Sequence, residues 1–210
     1  MPFVFKRLAL VLSIAAALGM NKAGAADKDQ PKFVIAPAAS YAAHQTSEQV
    51  TIAAAVVETD EQARAPFGKL NPYKYGILPV LIVIQNDSNE TLRLDTLKVD
   101  YVAPGGEHVE STAAGDIRYL HGARRPNPVN GPMPTGAPRI SRHKNPLDAW
   151  EIEGRAFSAK MIPPGQSAGG FFYFQTGHRS AASAYINGIK QARAGKELFY
   201  FEIPLRNATF

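Results

Sequence analysis

The chain is expected to fold as an all-β domain: a single antiparallel β-sandwich of about seven to eight strands with one or two short helices inserted. Three observations carry that expectation. Val80–Ile84 is an unbroken aliphatic run stopped by Gln85-Asn86-Asp87, the pattern of a strand buried on both faces. Gly169-Gly170 followed by Phe171-Phe172-Tyr173-Phe174 reads as a second such strand, with the glycines admitting close backbone approach and the aromatics filling both faces. Val50–Val57, Leu92–Val102 and Leu198–Leu205 alternate apolar residues with small or polar ones between turn signals, as half-buried strands do.

The remaining elements follow in order. Phe33-Val34-Ile35 is a strand-like triplet halted by Pro37, and Tyr41–Glu48 is small and polar, as in a tether. Residues 26–49 thus read as an N-terminal extension and 50–210 as the domain. Thr59-Asp60-Glu61-Gln62 has capping-box spacing and predicts one helical turn. Pro79 cannot donate to a ladder, so pairing of the central strand is expected from Val80. Val80–Asn86 and Leu92–Val102 read as a hairpin, with a bulge where the alternation slips between Leu94 and Leu97. Thr112–His121 fits a short helix capped by Thr112, with Ile117 and Leu120 on one face. Asp148–Gly154 suits a helical turn or a strand equally, and Arg155–Ile162 reads as a strand before the Pro163-Pro164-Gly165 turn. Ser180–Arg193 has the stripe of a helix in Ala182, Tyr185, Ile186 and Ile189, with Ser180 as cap and Gly195 as terminator.

The 210 residues are 45% hydrophobic and 20% charged, a globular balance. Lys6 and Arg7, the apolar stretch Leu8–Gly19 and the small residues Ala23-Gly24-Ala25 predict a signal peptide over residues 1–25, cleaved after Ala25. The apolar stretch is shorter than the roughly 20 residues a membrane helix needs, so no transmembrane segment is expected in the mature chain. Removing Lys6, Arg7 and Lys22 takes the basic count from 23 to 20 against 18 acidic residues, and the net charge from +5 to +2. That balance does not favour a nucleic-acid partner. With no cysteine there is no disulfide framework and no thiol chemistry. A periplasmic or secreted protein is expected.

Chemical signatures are sparse. His44, His108, His121, His143 and His178 have no metal-ligand spacing. A soft site would need His121, His143, Met133 and Met161 to converge in space, so no metal or cofactor is expected. Asp148, Glu151 and Glu153 surround Trp150, which allows a carboxylate pair beside a sugar platform but reads more simply as a solvated edge with one core Trp. No nucleophile elbow or phosphate loop occurs. The segment Gly122–Leu147 stands apart: it holds Pro126, Pro128, Pro132, Pro134, Pro138 and Pro146 and no acid. Its bases Arg124, Arg125, Arg139, Arg142 and Lys144 make it a candidate partner-binding loop for a protein or an anionic envelope component.

Two sets of residues, Phe67-Gly68-Lys69 and Gly76-Ile77-Leu78-Pro79-Val80 with Gln85-Asn86-Asp87, and Ile162-Pro163-Pro164-Gly165 with Gly170–Phe174, resemble the scaffold motifs of exported bacterial immunoglobulin-like β-sandwich proteins. The resemblance spans roughly Val50–Leu205 and implies a fold without catalytic residues. A non-enzymatic envelope-interaction module is therefore the first expectation. A periplasmic metal-binding protein and a hydrolase acting on envelope polymers are the alternatives. Because Val80–Ile84 does not alternate, its outer face needs a cover: the Gly122–Leu147 loop, the Ser180–Arg193 helix or another chain.

Overall fold

The strand expected at the centre is at the centre. In the computed structural model, which describes residues 33–120 and 145–209, β3 (Leu78–Asn86) is flanked on both edges by antiparallel neighbours. On one side lies β2 (Val50–Val56), preceded at the sheet edge by β1 (His44–Ser47). On the other lies β8 (Gln166–Phe174), so the first sheet has the order β1-β2-β3-β8. Pairing of β3 begins at Leu78 rather than Val80, and the Pro79 carbonyl accepts from the Val57 amide at 3.1 Å. The predicted signal peptide and nearly all of the basic loop, including Arg124, Arg125, Arg139, Arg142 and Lys144, lie outside the described residues.

A second sheet has the order β11-β9-β5-β6, built from β5 (Lys98–Val102), β6 (His108–Glu110), β9 (Ser183–Asn187) and β11 (Phe201–Pro204). One core lies between the two sheets. Val80, Ile82 and Ile84 of β3 meet Val99, Tyr101, Ala184, Ile186, Phe201 and Ile203 there. The other face of β3, with Leu81 and Val83, joins Phe171 and Tyr173 in a second core. Each fully buried aliphatic side chain contributes about 1.5–3 kcal/mol, so two-sided burial makes β3 the most stabilising element.

Among the described residues, most of the cover of that second face comes from elements the sequence did not suggest for it. The cover consists of residues 33–41, the helices α1 (Asp60–Phe67), α2 (Ala114–Ile117) and α3 (Trp150–Gly154), and Leu147, the last residue of the basic segment. The stretch expected as a tether thus contains β1 and core residues, including the buried Tyr41. Phe33 is buried although its triplet forms no strand, and its ring lies 5.8 Å from Phe171. The capping box forms: Thr59 accepts from the Gln62 amide and the Gln62 side chain returns to the Thr59 amide. Tyr173 donates to the Ile152 carbonyl at 2.7 Å, fixing α3 over the sheet.

Ser180–Arg193 is not a helix. Its residues form β9, with β5 and β11 pairing along its two edges. The stripe at helical spacing overlaps a period-two pattern in which Ala182, Ala184 and Ile186 are buried while Ser183, Tyr185 and Asn187 are half-exposed. Two partner strands satisfy that second pattern, and Gly188 at φ +80° ends it. A Cβ at Gly188 would stand 1.9 Å from the Thr96 carbonyl oxygen, and the Thr96 hydroxyl donates to the Gly188 carbonyl at 2.7 Å.

The expected hairpin of Val80–Asn86 with Leu92–Val102 also does not form. Leu92–Val102 is divided by a turn, closed by the Leu97 amide on the Leu94 carbonyl at 3.1 Å, where a bulge was expected. Its first part, β4 (Leu92–Arg93), joins β7 (Met161–Ile162) and β10 (Lys190–Gln191) in a small third sheet; its second part is β5. Both edges of β3 are taken by apolar and aromatic partners in β2 and β8, which bury more than Leu92–Val102 offers. The small sheet ties together three connections at one end of the molecule: β3 to β5, the entry to β8, and β9 to β11. Thr112 is bridged to Tyr173 instead of capping α2, and of Arg155–Ile162 only β7 is a strand. The chain is mostly β, with eleven strands among the described residues in three antiparallel sheets, more than the seven to eight expected.

Candidate functional site on the uncovered sheet face

The first sheet is packed on both sides, whereas among the described residues the second sheet packs only inward. Alternation in β5, β9 and β11 sends Val99 and Tyr101, Ala184 and Ile186, and Phe201 and Ile203 into the core. The opposite parity leaves Asp100, Tyr185 and Glu202 outside, and the register sets them side by side, with Glu110 of β6 paired to Asp100. One row across the face therefore reads Glu110, Asp100, Tyr185, Glu202. The next row holds His108, Val102, Ser183 and Pro204.

Aromatic contacts preorganise this surface. The Tyr185 ring stacks on Tyr200 at 5.1 Å and receives His108 edge-on at 5.6 Å. Tyr200 is 55% exposed and Phe199, its neighbour in sequence, 74% exposed. Large rings left in water at adjacent positions mark surfaces built for contact. The carboxylates are braced as well. Ser183 Oγ donates to Glu202 Oε1 at 3.0 Å, and His108 Nδ1 lies 3.4 Å from Asp100 Oδ2. The Glu202 amide donates to Gln45 Oε1 at 3.1 Å, tying β11 to β1.

The residues singled out from the sequence lie elsewhere. Asp148 and Glu153 both reach the Arg118 guanidinium, Asp148 at 3.2 Å, so they converge on a cation at an exposed surface. Trp150 is not a core residue: it is 68% exposed, its ring laid against Gly154 and 5.9 Å from the Arg155 guanidinium. Arg155 also sits 5.1 Å over the Phe33 ring, which pins the guanidinium between two aromatics. The described histidines do not gather. His44 Nδ1 is 2.8 Å from the Tyr41 carbonyl, and His178 stands edge-on to Tyr101 at 6.1 Å. Met161 is exposed on β7, while His121, Met133 and His143 lie outside the described residues. Among the described residues no group of three or more His, Cys, Asp or Glu is placed to hold a metal ion.

Tyr185 was missed because reading 180–193 as a helix assigned it to a buried stripe, and Phe199 because the alternation over Leu198–Leu205 set it with Phe201 and Ile203, whereas the strand begins at Phe201 and leaves Phe199 exposed. The alternation Ala182, Ala184, Ile186 against Ser183, Tyr185, Asn187 is the signal that finds Tyr185. No helix among the described residues is long and apolar enough to cross a membrane. The fold and surface define a mostly β, antiparallel protein whose second sheet has an outer face left open by the described residues. Comparison with known protein families and with curated proteins finds no match.

Proposed function

We propose that this protein is a non-enzymatic, exported binding module of the immunoglobulin-like sandwich kind, and that its contact surface is the open face of β5, β6, β9 and β11. The strand order supports the fold assignment. Chain order carries β3 and β5, and again β8 and β9, into opposite sheets over a shared core, as in Greek-key sandwiches. Export rests on the N-terminal pattern of residues 1–25. The single observation that carries the function is the aromatic group in which the half-exposed Tyr185 stacks on the exposed Tyr200, with the exposed Phe199 next in sequence. Rigid rings with a polar handle supply contact area at little conformational cost, which suits recognition better than bond-making chemistry.

The test is capture from the native envelope by the immobilised mature chain and by a Tyr185→Ser/Phe199→Ser/Tyr200→Ser variant. The wild type retains a partner that the variant loses, while circular dichroism of the two is the same. Equal capture by both would remove the face from consideration.

A further inference from the structure

We infer that the open face docks the basic, proline-rich segment 122–147 of a second copy of this chain, so that the copies associate head to tail. The inference rests on the reading of that face as the contact surface. Its first support is charge. The row Glu110, Asp100, Tyr185, Glu202 places three carboxylates around one aromatic ring, with Lys98 the one base among the outward residues of the four strands. Segment 122–147 has the opposite character, with Arg124, Arg125, Arg139, Arg142 and Lys144 and no acid.

The second support is chemical fit. A guanidinium stacks on a tyrosine face while its N–H groups reach carboxylates beside the ring, and the Tyr185–Tyr200 stack offers both at once. Six prolines restrict the free segment and lower the entropy lost when it is held.

Topology then selects the second copy over the same one. Leu120, just before the segment, packs against the core on the far side of the first sheet, and Leu147, its last residue, is part of that core. The docking face is the outer surface of the second sheet, beyond the other core. The described residues at its two ends therefore lie on the side away from the face. A contact between two different surfaces of one chain is heterologous and propagates rather than closing on itself.

Sedimentation of the full mature chain tests this with two variants. One neutralises the face (Asp100→Asn/Glu110→Gln/Glu202→Gln), the other the segment (Arg124→Gln/Arg125→Gln/Arg139→Gln/Arg142→Gln/Lys144→Gln). The wild type associates in a concentration-dependent way at low salt and loses that association at high salt. Each variant alone is monomeric. Mixed together they form a one-to-one complex, since one retains an intact segment and the other an intact face. A wild type that stays monomeric at every concentration and salt overturns the inference, as does association that survives in either variant or a mixture that fails to pair. A monomeric wild type that still captures an envelope partner through Tyr185, Phe199 and Tyr200 overturns only the identity of the partner and leaves the contact face standing.

Discussion

Asn86 shows how one polar side chain organises an end of the molecule. It is fully buried, donates to the carbonyls of Glu90 and Ile162 at 2.8 and 2.9 Å, and accepts from the amide and hydroxyl of Ser88. These bonds join the end of β3 to the turn that follows it and to β7 in the small third sheet. Asn86→Leu removes them and strands buried carbonyls, a loss of about 3 kcal/mol. It is read as a lower urea midpoint with an unchanged slope. His178 makes a different prediction. Its Nδ1 is buried without a hydrogen-bond partner, and burial holds its pKa below the ordinary 6.5, with Glu58 opposing weakly. The folded protein therefore binds fewer protons than the unfolded chain just below that pH. The neutral ring's advantage is complete above the ordinary value, and stability falls as pH drops through the lowered one. Thermal melts across that window show this slope, and His178→Gln flattens it.

The elements divide by how far local pattern decided their fate. β3 and β8 were readable because two-sided burial writes itself as unbroken apolar sequence. The prediction of close approach at Gly169-Gly170 also holds: a Cβ at Gly170 would stand 2.5 Å from the Phe157 backbone. The capping box of α1 is equally local. Thr59→Ala is expected to cost about 1 kcal/mol. Because α1 delivers the buried Phe67 to the Phe171 ring at 4.8 Å, the same change speeds hydrogen exchange in the covering layer before the sheets. β9 was misread because Ala182, Tyr185, Ile186 and Ile189 satisfy a helical period while Ala182, Ala184 and Ile186 satisfy a strand period, and only the flanking strands decide between them. The hairpin failed for a related reason. Proximity in sequence favours β3 beside Leu92–Val102, but long-range partners with larger apolar faces win both edges of β3. The exposed position of Trp150 was unreadable because it depends on Gly154 and Arg155 folding beneath the ring.

Taken whole, the molecule is asymmetric. A covering layer closes one side of the first sheet, the two sheets share a core, and the far side of the second sheet is open. The open side carries acids and stacked rings, and the closed side carries the ends of a basic segment. Of what the sequence offered as candidate site residues, the bases Arg124, Arg125, Arg139, Arg142 and Lys144 lie outside the described residues, and Asp148 and Glu153 beside Trp150 serve an ion pair with Arg118. The most exposed rings thus fall at two places that compete for a role, Trp150 on α3 and the Tyr185–Tyr200 group on the second sheet. Hydroxyl-radical footprinting of the mature chain, free and incubated with native envelope extract, separates them. Protection of Tyr185, Phe199 and Tyr200 with Trp150 unchanged is the result expected of an open-face binding module. Protection confined to Trp150, or no change at any of the four rings, would contradict it.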